Sequence, residues 1–218
     1  AWTFLVPLLS TAVGLAYAIL VDRSRFEAFA KALVFMPMAI SMVGASIIWK
    51  FVYDYRPAGS DQIGLLNAVL AALGREPQQF MLDQPWNTWW LIVVMIWIQA
   101  GFAMTVLSAA IKAIPDDIIE AARLDGTGSW NLFVHITLPS IRGSLVVVLT
   151  TIAIATLKVF DIVRTMTGGQ FGTSVVANEF YNTAFRYSQV GIGAALAVLL
   201  FIMVIPMVVY NTVQLRRS

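Results

Sequence analysis

Long apolar runs constrain this chain more than any other feature. Five stretches of mostly apolar residues cover 1–21, 29–53, 87–112, 140–160 and 190–213. A bilayer core about 30 Å thick is crossed by roughly 20 helical residues. Backbone groups in lipid must be hydrogen-bonded within the segment, which favours helices over open strands. The sequence therefore predicts an all-α polytopic membrane protein with about five transmembrane helices.

The composition supports a lipid environment. Of the 218 residues, 59% are hydrophobic and 12% are charged, whereas soluble domains average about 25% charged residues. A net charge of +2 provides no basic stripe for nucleic acid, so no nucleic-acid partner is expected. The chain has no cysteine, which excludes disulfides and cysteine-based metal sites. Because Ala1 already lies inside an apolar run, we expect a preceding helix in the complete protein.

The connections between the runs differ in character. Residues 54–86 include a weakly amphipathic segment at 63–73, with turn residues on both sides. Residues 161–189 form a second long loop that contains three glycines. Prolines inside three of the apolar runs are expected to kink or break their helices: Pro7, Pro37 and Pro206.

The polar segment 113–139, between the third and fourth runs, has the pattern of two short helices. Asp116 and Asp117 follow a proline and place negative charge at a helix start, which the helix dipole favours. Gly126 is suited to a left-handed residue that ends the first helix. Ser129 is predicted to cap a second helix, and Pro139 to end it. The prediction is a helix–turn–helix elbow.

The same segment carries the spacing E-A-A-x3-G-x9-I-x-L-P, formed by Glu120, Ala121, Ala122, Gly126, Ile136, Leu138 and Pro139. This spacing resembles the cytoplasmic coupling loop of permease subunits of binding-protein-dependent ABC importers. The resemblance implies that the elbow inserts into a cleft of an ATP-binding subunit, with Glu120 as a salt-bridge partner and Gly126 shaping the bend. It also implies no catalytic residue and no cofactor here, because another subunit hydrolyses ATP.

A second resemblance lies downstream of the fourth run. Residues 160–163 read Phe-Asp-Ile-Val and residues 166–169 read Met-Thr-Gly-Gly, and both resemble sugar permeases, as do residues 178–185 and the Gly/Ala-rich last run. Gln170-Phe171 departs from the proline that many of these permeases have. The resemblance implies an oligosaccharide or alpha-glucoside cargo and four kinds of partner: a second permease subunit, two ATP-binding subunits, an extracytoplasmic sugar-binding protein and the bilayer.

A sugar path needs hydroxyl, amide, aromatic and occasional charged groups. In and just after the fourth run, the candidates are Thr151, Thr156, Lys158 and Asp161. A charge at membrane depth is costly unless it faces protein or a wet cavity. Lys158 and Asp161 are also three residues apart, so mutual pairing is an alternative to substrate contact.

Orientation follows from the positive-inside rule. With the elbow in the cytoplasm, eight Lys and Arg residues lie inside and six outside. The orientation rests more on the resemblance of the elbow than on this charge difference. The resemblance implies a bacterial inner-membrane protein forming one transmembrane domain over 1–218, with a cytoplasmic C-terminus. Residues 54–86 and 161–189 are then extracytoplasmic.

Other classes fit less well. No G-x-x-x-x-G-K-[ST] occurs, which excludes a P-loop ATPase. The single histidine, His135, lies in the elbow, too far from bilayer-depth serines to act as their base, and no metal site is predicted. An ion-coupled secondary transporter would usually carry inverted repeats or intramembrane carboxylates, and neither is evident. An ABC permease for a non-sugar solute remains an alternative.

Overall fold

A computed structural model describes residues 1–22 and 25–215, without the side chains of 214 and 215, and these residues form helices and loops with no strand. The α-helices are α1 (Trp2–Val21), α2 (Glu27–Phe35), α3 (Met42–Val52), α4 (Leu65–Ala72), α5 (Trp86–Lys112), α6 (Asp116–Leu124), α7 (Ser129–Leu132), α8 (Leu138–Ser140), α9 (Arg142–Leu157), α10 (Asp161–Met166), α11 (Val176–Tyr181) and α12 (Val190–Leu215).

Three helices are long and apolar enough to cross a bilayer: α1, α5 and α12. They reproduce the first, third and fifth predicted spans within a few residues. Counting each of two bent helix pairs as one crossing raises the number to as many as five in the described part of the chain. The predicted all-helical, polytopic fold is confirmed.

The second apolar run is broken into two helices at Pro37, as the proline in this run predicts. A 3₁₀ turn at Met36–Ala39 follows α2, and α3 then leaves at a bend of 103°. Pro37 lies in this turn, where it removes a backbone donor. The Ser41 hydroxyl accepts a hydrogen bond from the Gly44 backbone N–H at 3.0 Å, which caps the new helix.

The fourth run forms a shorter helix than the predicted 140–160 span, and a bend separates it from the elbow helix that the sequence predicts to end at Pro139. The helical stretch Ser129–Ser140 meets α9 at 68°, and α9 ends at Leu157. The bend lies at Ile141, whose φ of −93° and ψ of 7° leave the helical range. Pro7 and Pro206, by contrast, lie inside helices that continue past them.

The core forms around α5. Of the most apolar stretch of α5, 61% is buried, against 6% for α12, which places α12 at the periphery. α1 lies very close to α5 at Gly14, where an added Cβ would come within 2.5 Å of the Ala103 Cβ. Gly101 similarly approaches the Val34 carbonyl oxygen. Small residues at such positions are a common basis of helix packing in membranes.

The bundle has two distinct ends. At one end, the C-terminus of α1, the start of α2 and the C-terminus of α5 meet through charged side chains. The elbow adjoins the same end, because a cavity is lined jointly by Asp22, Ile111 and Arg123. At the other end, the Tyr53 hydroxyl donates to the Trp90 carbonyl at 3.0 Å.

The two long predicted loops lie at the end marked by Tyr53. The amphipathic segment predicted at 63–73 is α4, and the buried Asn67 amide donates to the Asp54 and Gln78 carbonyls at 2.8 and 3.1 Å. The Asn87 amide, in the first turn of α5, donates to the Phe171 carbonyl at 2.7 Å, which joins the second loop to the start of α5.

Candidate coupling elbow and translocation path

The first arm of the elbow is α6. It begins after Pro115 in extended conformation, with Asp116 and Asp117 in its first turn, as the sequence predicts. Ala122 is buried against the rest of the chain, whereas Glu120 and Ala121 are exposed. The exposed side of α6 therefore presents a carboxylate beside a small side chain, and such a surface allows another protein to approach closely.

Gly126 ends α6 in the predicted left-handed conformation, with φ of 79°. The Thr127 N–H donates to the Ala122 carbonyl and the Gly126 N–H to the Arg123 carbonyl, each at 3.0 Å. This pair of bonds is the Schellman arrangement, which satisfies the last carbonyls of a helix. Gly126 is itself exposed, and an added Cβ would meet no atom within 4 Å. Backbone conformation, rather than space, therefore favours glycine here.

The second arm differs from the prediction at its start. Gly128, with φ of −68° and ψ of 159°, occupies the N-cap position, and Ser129 is the first helical residue without a capping bond. The predicted cap at Ser129 is therefore wrong by one residue. Gly is acceptable at an N-cap, so the helix begins there without a side-chain acceptor.

Pro139 acts on the end of this arm. Residues Phe133–Thr137 form a π-helical turn, in which the Leu138 N–H donates to the Phe133 carbonyl. A proline ring clashes with the carbonyl four residues earlier, and the wider turn relieves that clash at His135. The helix ends at Ser140, one residue after Pro139. Ile136 and Leu138 are half-buried and Pro139 is exposed.

His135 has a local role only. Its Nδ1 lies 3.1 Å from the Asn131 carbonyl oxygen one turn earlier. Among the described residues, no group of three or more His, Cys, Asp or Glu side chains is placed to hold a metal ion.

The four candidate path residues lie along α9 and its junction with α10, but in different surroundings. Thr151 accepts a hydrogen bond from the Asn211 amide of α12 at 3.2 Å. Thr156 is buried, and its hydroxyl donates to the Ile152 carbonyl at 2.7 Å within its own helix. Both hydroxyls thus have partners inside the bundle, as expected of polar groups in a membrane helix.

Lys158 and Asp161 lie at the turn between α9 and α10. Over the described ranges they form no ion pair with each other, so the alternative of mutual pairing does not hold in this conformation. Lys158 is exposed and Asp161 half-buried. The turn therefore presents a cation and a carboxylate that are both available to another molecule.

An aromatic cluster beside this turn was not predicted. The Phe160 ring lies 5.3 Å from the Tyr181 ring, and the Arg164 guanidinium carbon lies 4.6 Å from the Tyr181 ring centroid. Arg164 also donates to the Asn182 side-chain oxygen at 3.0 Å. Sequence spacing cannot show this cluster, because it joins residues from α10 and α11.

Sequence reasoning also missed a charged cluster at the elbow end. The Lys31 ammonium lies 2.5 Å from the Asp22 carboxylate and 2.8 Å from the Glu27 carboxylate. Ser108 of α5 donates to the Asp22 carboxylate at 2.6 Å, and Lys112 pairs with Glu27. This charged cluster joins the ends of α1, α2 and α5. The residues Arg23, Arg216 and Arg217 of the positive-inside count lie outside the described residues.

Comparison with known proteins decides the family. Residues 10–217 match the family described as binding-protein-dependent transport system inner membrane component. The chain belongs to this family. The resemblance inferred from the elbow spacing is confirmed, and the chain is a transport component of the inner membrane.

The chain is similar to several curated proteins. It is 51% identical over 210 residues to the osmoprotective compounds uptake permease protein of Synechocystis sp., covering 96% of this chain and 75% of that protein. It is 53% identical over 211 residues to the alpha-glucoside transport system permease protein of Rhizobium meliloti, covering 96% of this chain and 63% of that protein. The chain thus spans less than two thirds of the latter.

Solved structures show the same fold. A chain of a bacterial alginate ABC transporter, in complex with an alginate-bound periplasmic protein, matches with a TM-score of 0.84 at 22% identity, over 99% of this chain and 75% of that chain. The MetNI methionine ABC transporter matches with a TM-score of 0.69 at 18% identity, over 100% and 91%. At these identities the likeness concerns the fold alone.

Proposed function

We propose that this chain forms half of the translocation path of an ABC importer for a sugar of the oligosaccharide or alpha-glucoside type. A separate subunit hydrolyses the ATP, and the elbow couples that hydrolysis to the path. The observation that carries the proposal is the elbow itself, a two-armed helical unit with a defined turn, which exposes Glu120 and Ala121 beside the charged end of the bundle.

The elbow geometry suits mechanical coupling. Gly126 fixes the angle between the arms through two backbone hydrogen bonds, so the arms are expected to move together. The second arm continues, after the bend at Ile141, into α9. This helix carries Thr151 and Thr156 and leads to Lys158 and Asp161. A displacement of α6 by an ATPase can therefore reach the path without an intervening flexible loop.

The proposed path lies at the turn that follows α9. Lys158 and Asp161 provide charged hydrogen-bonding groups, and Phe160 and Tyr181 provide aromatic faces beside them. Sugars present both hydroxyl groups and apolar C–H faces, so this combination suits them. Thr151 and Thr156 lie deeper along α9 and are proposed to serve the path once the helices separate. The names of the relatives that carry sugar or osmoprotective compounds support this cargo class.

The remaining assignments concern partners and sidedness. The elbow end is proposed to face the cytoplasm, together with the C-terminus, and residues 113–139 to form the coupling loop of one domain over 1–218. Residues 54–86 and 161–189 are then proposed to receive an extracytoplasmic sugar-binding protein. A second permease subunit would complete the path, and two ATP-binding subunits would occupy the two elbows. The family description supports a binding-protein-dependent system.

The proposal is tested by uptake in proteoliposomes that contain the full transporter and its binding protein. We expect ATP-dependent accumulation of one class of labelled alpha-glucoside or oligosaccharide and no accumulation with a non-hydrolysable ATP analogue. A panel that includes amino acids and small polyols shows which solute is transported, independently of whether transport requires ATP. ATP-driven uptake of an amino acid alone would contradict the sugar assignment, and uptake that ignores ATP would contradict the importer assignment.

A further inference from the structure

A buried carboxylate oxygen at the elbow end has no hydrogen-bond partner among the described residues. The Asp22 side chain is 8% exposed, and its Oδ1 receives the Ser108 hydroxyl and the Lys31 ammonium. Its Oδ2 is buried and makes no hydrogen bond to residues 1–22 or 25–215. A buried, ionised acceptor without a partner is costly, so such a group calls for an explanation.

The space around Asp22 leads to the elbow. Two neighbouring cavities, of about 230 Å³ and about 560 Å³, are both lined by Asp22 and by Arg123 of α6. Leu132 and Thr137 of the second arm line both cavities as well. The space between Asp22 and the elbow is therefore lined by a carboxylate from the end of α1 and by a guanidinium from α6.

Arg123 carries N–H donors that could pair with the Oδ2 of Asp22. It is exposed, and within the described part of the chain it forms no ion pair. Its planar guanidinium matches a carboxylate with parallel N–H donors, which a lysine cannot do. The Lys31 ammonium already forms ion pairs with the Oδ1 of Asp22 and with the Glu27 carboxylate. Among the described residues, Arg123 is thus the cation that lines both cavities with Asp22 and is not already paired.

We propose that Asp22 and Arg123 form an ion pair in one of the two conformations of the transport cycle and separate in the other. This inference rests on the proposed function, in which an ATPase displaces the elbow. Closing the cavity joins α6 to the charged cluster, and that cluster already ties α1, α2 and α5 together. Elbow motion then reaches the α1–α5 core directly, in addition to its covalent route through α9.

Cross-linking tests the pair because the chain has no cysteine of its own. The double variant Asp22→Cys/Arg123→Cys is assembled with cysteine-free partner subunits and oxidised with copper phenanthroline and oxygen. We expect disulfide yields in the nucleotide-free and vanadate-trapped complexes to differ by about five-fold or more. Asp22→Cys/Asp117→Cys is the control, since Asp117 lies on α6 but lines neither cavity.

Equal disulfide yields in the two states, or no disulfide in either, would overturn the proposal. The cavity between Asp22 and the elbow would then be a water-filled space without an ion pair.

A double-mutant cycle adds a functional readout, the amount of sugar taken up per ATP hydrolysed. Asp22→Asn and Arg123→Gln should each lower this ratio by about five-fold, and the double variant should be no worse than either single variant. Additive losses would contradict the pair.

The two proposals fail in different ways. A wild-type transporter without ATP-dependent uptake contradicts the proposed function, whatever the cross-linking result. A wild-type transporter with normal uptake and state-independent cross-linking contradicts only the Asp22–Arg123 pair. Assembly of each variant complex, measured by size-exclusion chromatography, shows that a loss of coupling is not a loss of folding.

Discussion

Single residues fix where the helices of this chain approach each other and where they end. Gly126 was predictable from its place after an alanine-rich helix, because few other residues tolerate a φ of 79°. Gly14 was not predictable, since its importance comes from Ala103 on a distant part of the chain. Ser129 was misassigned by one position because Gly128 also suits the N-cap.

Gly14→Ala should destabilise the protein by about 1–3 kcal/mol, because the added methyl would lie 2.5 Å from the Ala103 Cβ and 2.7 Å from the Met104 backbone nitrogen. Thermal unfolding in detergent measures the change. Gly191→Ala is the matched control, since a Cβ there meets no atom within 4 Å. Equal melting temperatures for the two variants would show that α1 and α5 do not pack this closely.

Lys31→Met should destabilise the protein by roughly 3 kcal/mol, because it leaves the Asp22 carboxylate buried without its cation. Lys112→Met should cost less than about 1 kcal/mol, since the Lys112 side chain is 49% exposed and water compensates for its loss. The comparison is made by thermal unfolding in the same detergent. A larger loss for Lys112→Met would mean that the charged cluster is organised around Glu27 and not around Asp22.

Among the elements, apolar runs were predictable as helices, but the size of the bends between them was not. Hydropathy gave α1, α5 and α12 almost to the residue, since a long apolar run has few alternatives to a helix in lipid. Hydropathy alone did not indicate the 103° bend in the second run. Pro37 lies at that bend, yet the helices that contain Pro7 and Pro206 continue past them. A proline alone therefore does not distinguish a broken helix from a continuous one.

The turn of the elbow provides a test at this scale. Gly126→Pro should leave the protein inserted and assembled but abolish ATP-driven uptake, because proline fixes φ near −65° and cannot adopt the left-handed turn. Gly128→Pro is the control, since Gly128 already has φ of −68°. Uptake and ATP hydrolysis are measured on both complexes. Normal uptake by Gly126→Pro would show that the angle between the arms is irrelevant to coupling.

For the whole molecule, the sequence predicted the class, the loops and the elbow, but not the contacts between distant helices. The charged cluster of Asp22, Lys31 and Ser108 draws on three helices, and the aromatic contacts of Tyr181 draw on two. Periodicity reports only which face of one helix is apolar. It does not report which polar groups meet once helices pack, so the polar partners of Thr151 and Asp22 could not be predicted.

The proposed sidedness predicts labelling from opposite faces of the membrane. Single cysteines are introduced at Ser60, in the first long loop, and at Gly128, in the elbow; both positions are exposed and the chain has no other cysteine. An impermeant maleimide added to intact spheroplasts should label the cysteine at 60 and not the one at 128. Inside-out vesicles should give the reverse. Labelling of both from the same face would contradict the orientation.

The proposed function requires that the elbow couples ATP hydrolysis in a partner subunit to transport through this chain. The most direct test compares ATP-driven sugar uptake by the wild-type transporter and by Glu120→Lys in the same proteoliposomes, with Glu76→Lys, an exposed charge reversal in the first long loop, as control. We expect Glu120→Lys to abolish uptake while the complex still assembles, and Glu76→Lys to leave uptake unchanged. Undiminished uptake by Glu120→Lys would contradict coupling through the elbow.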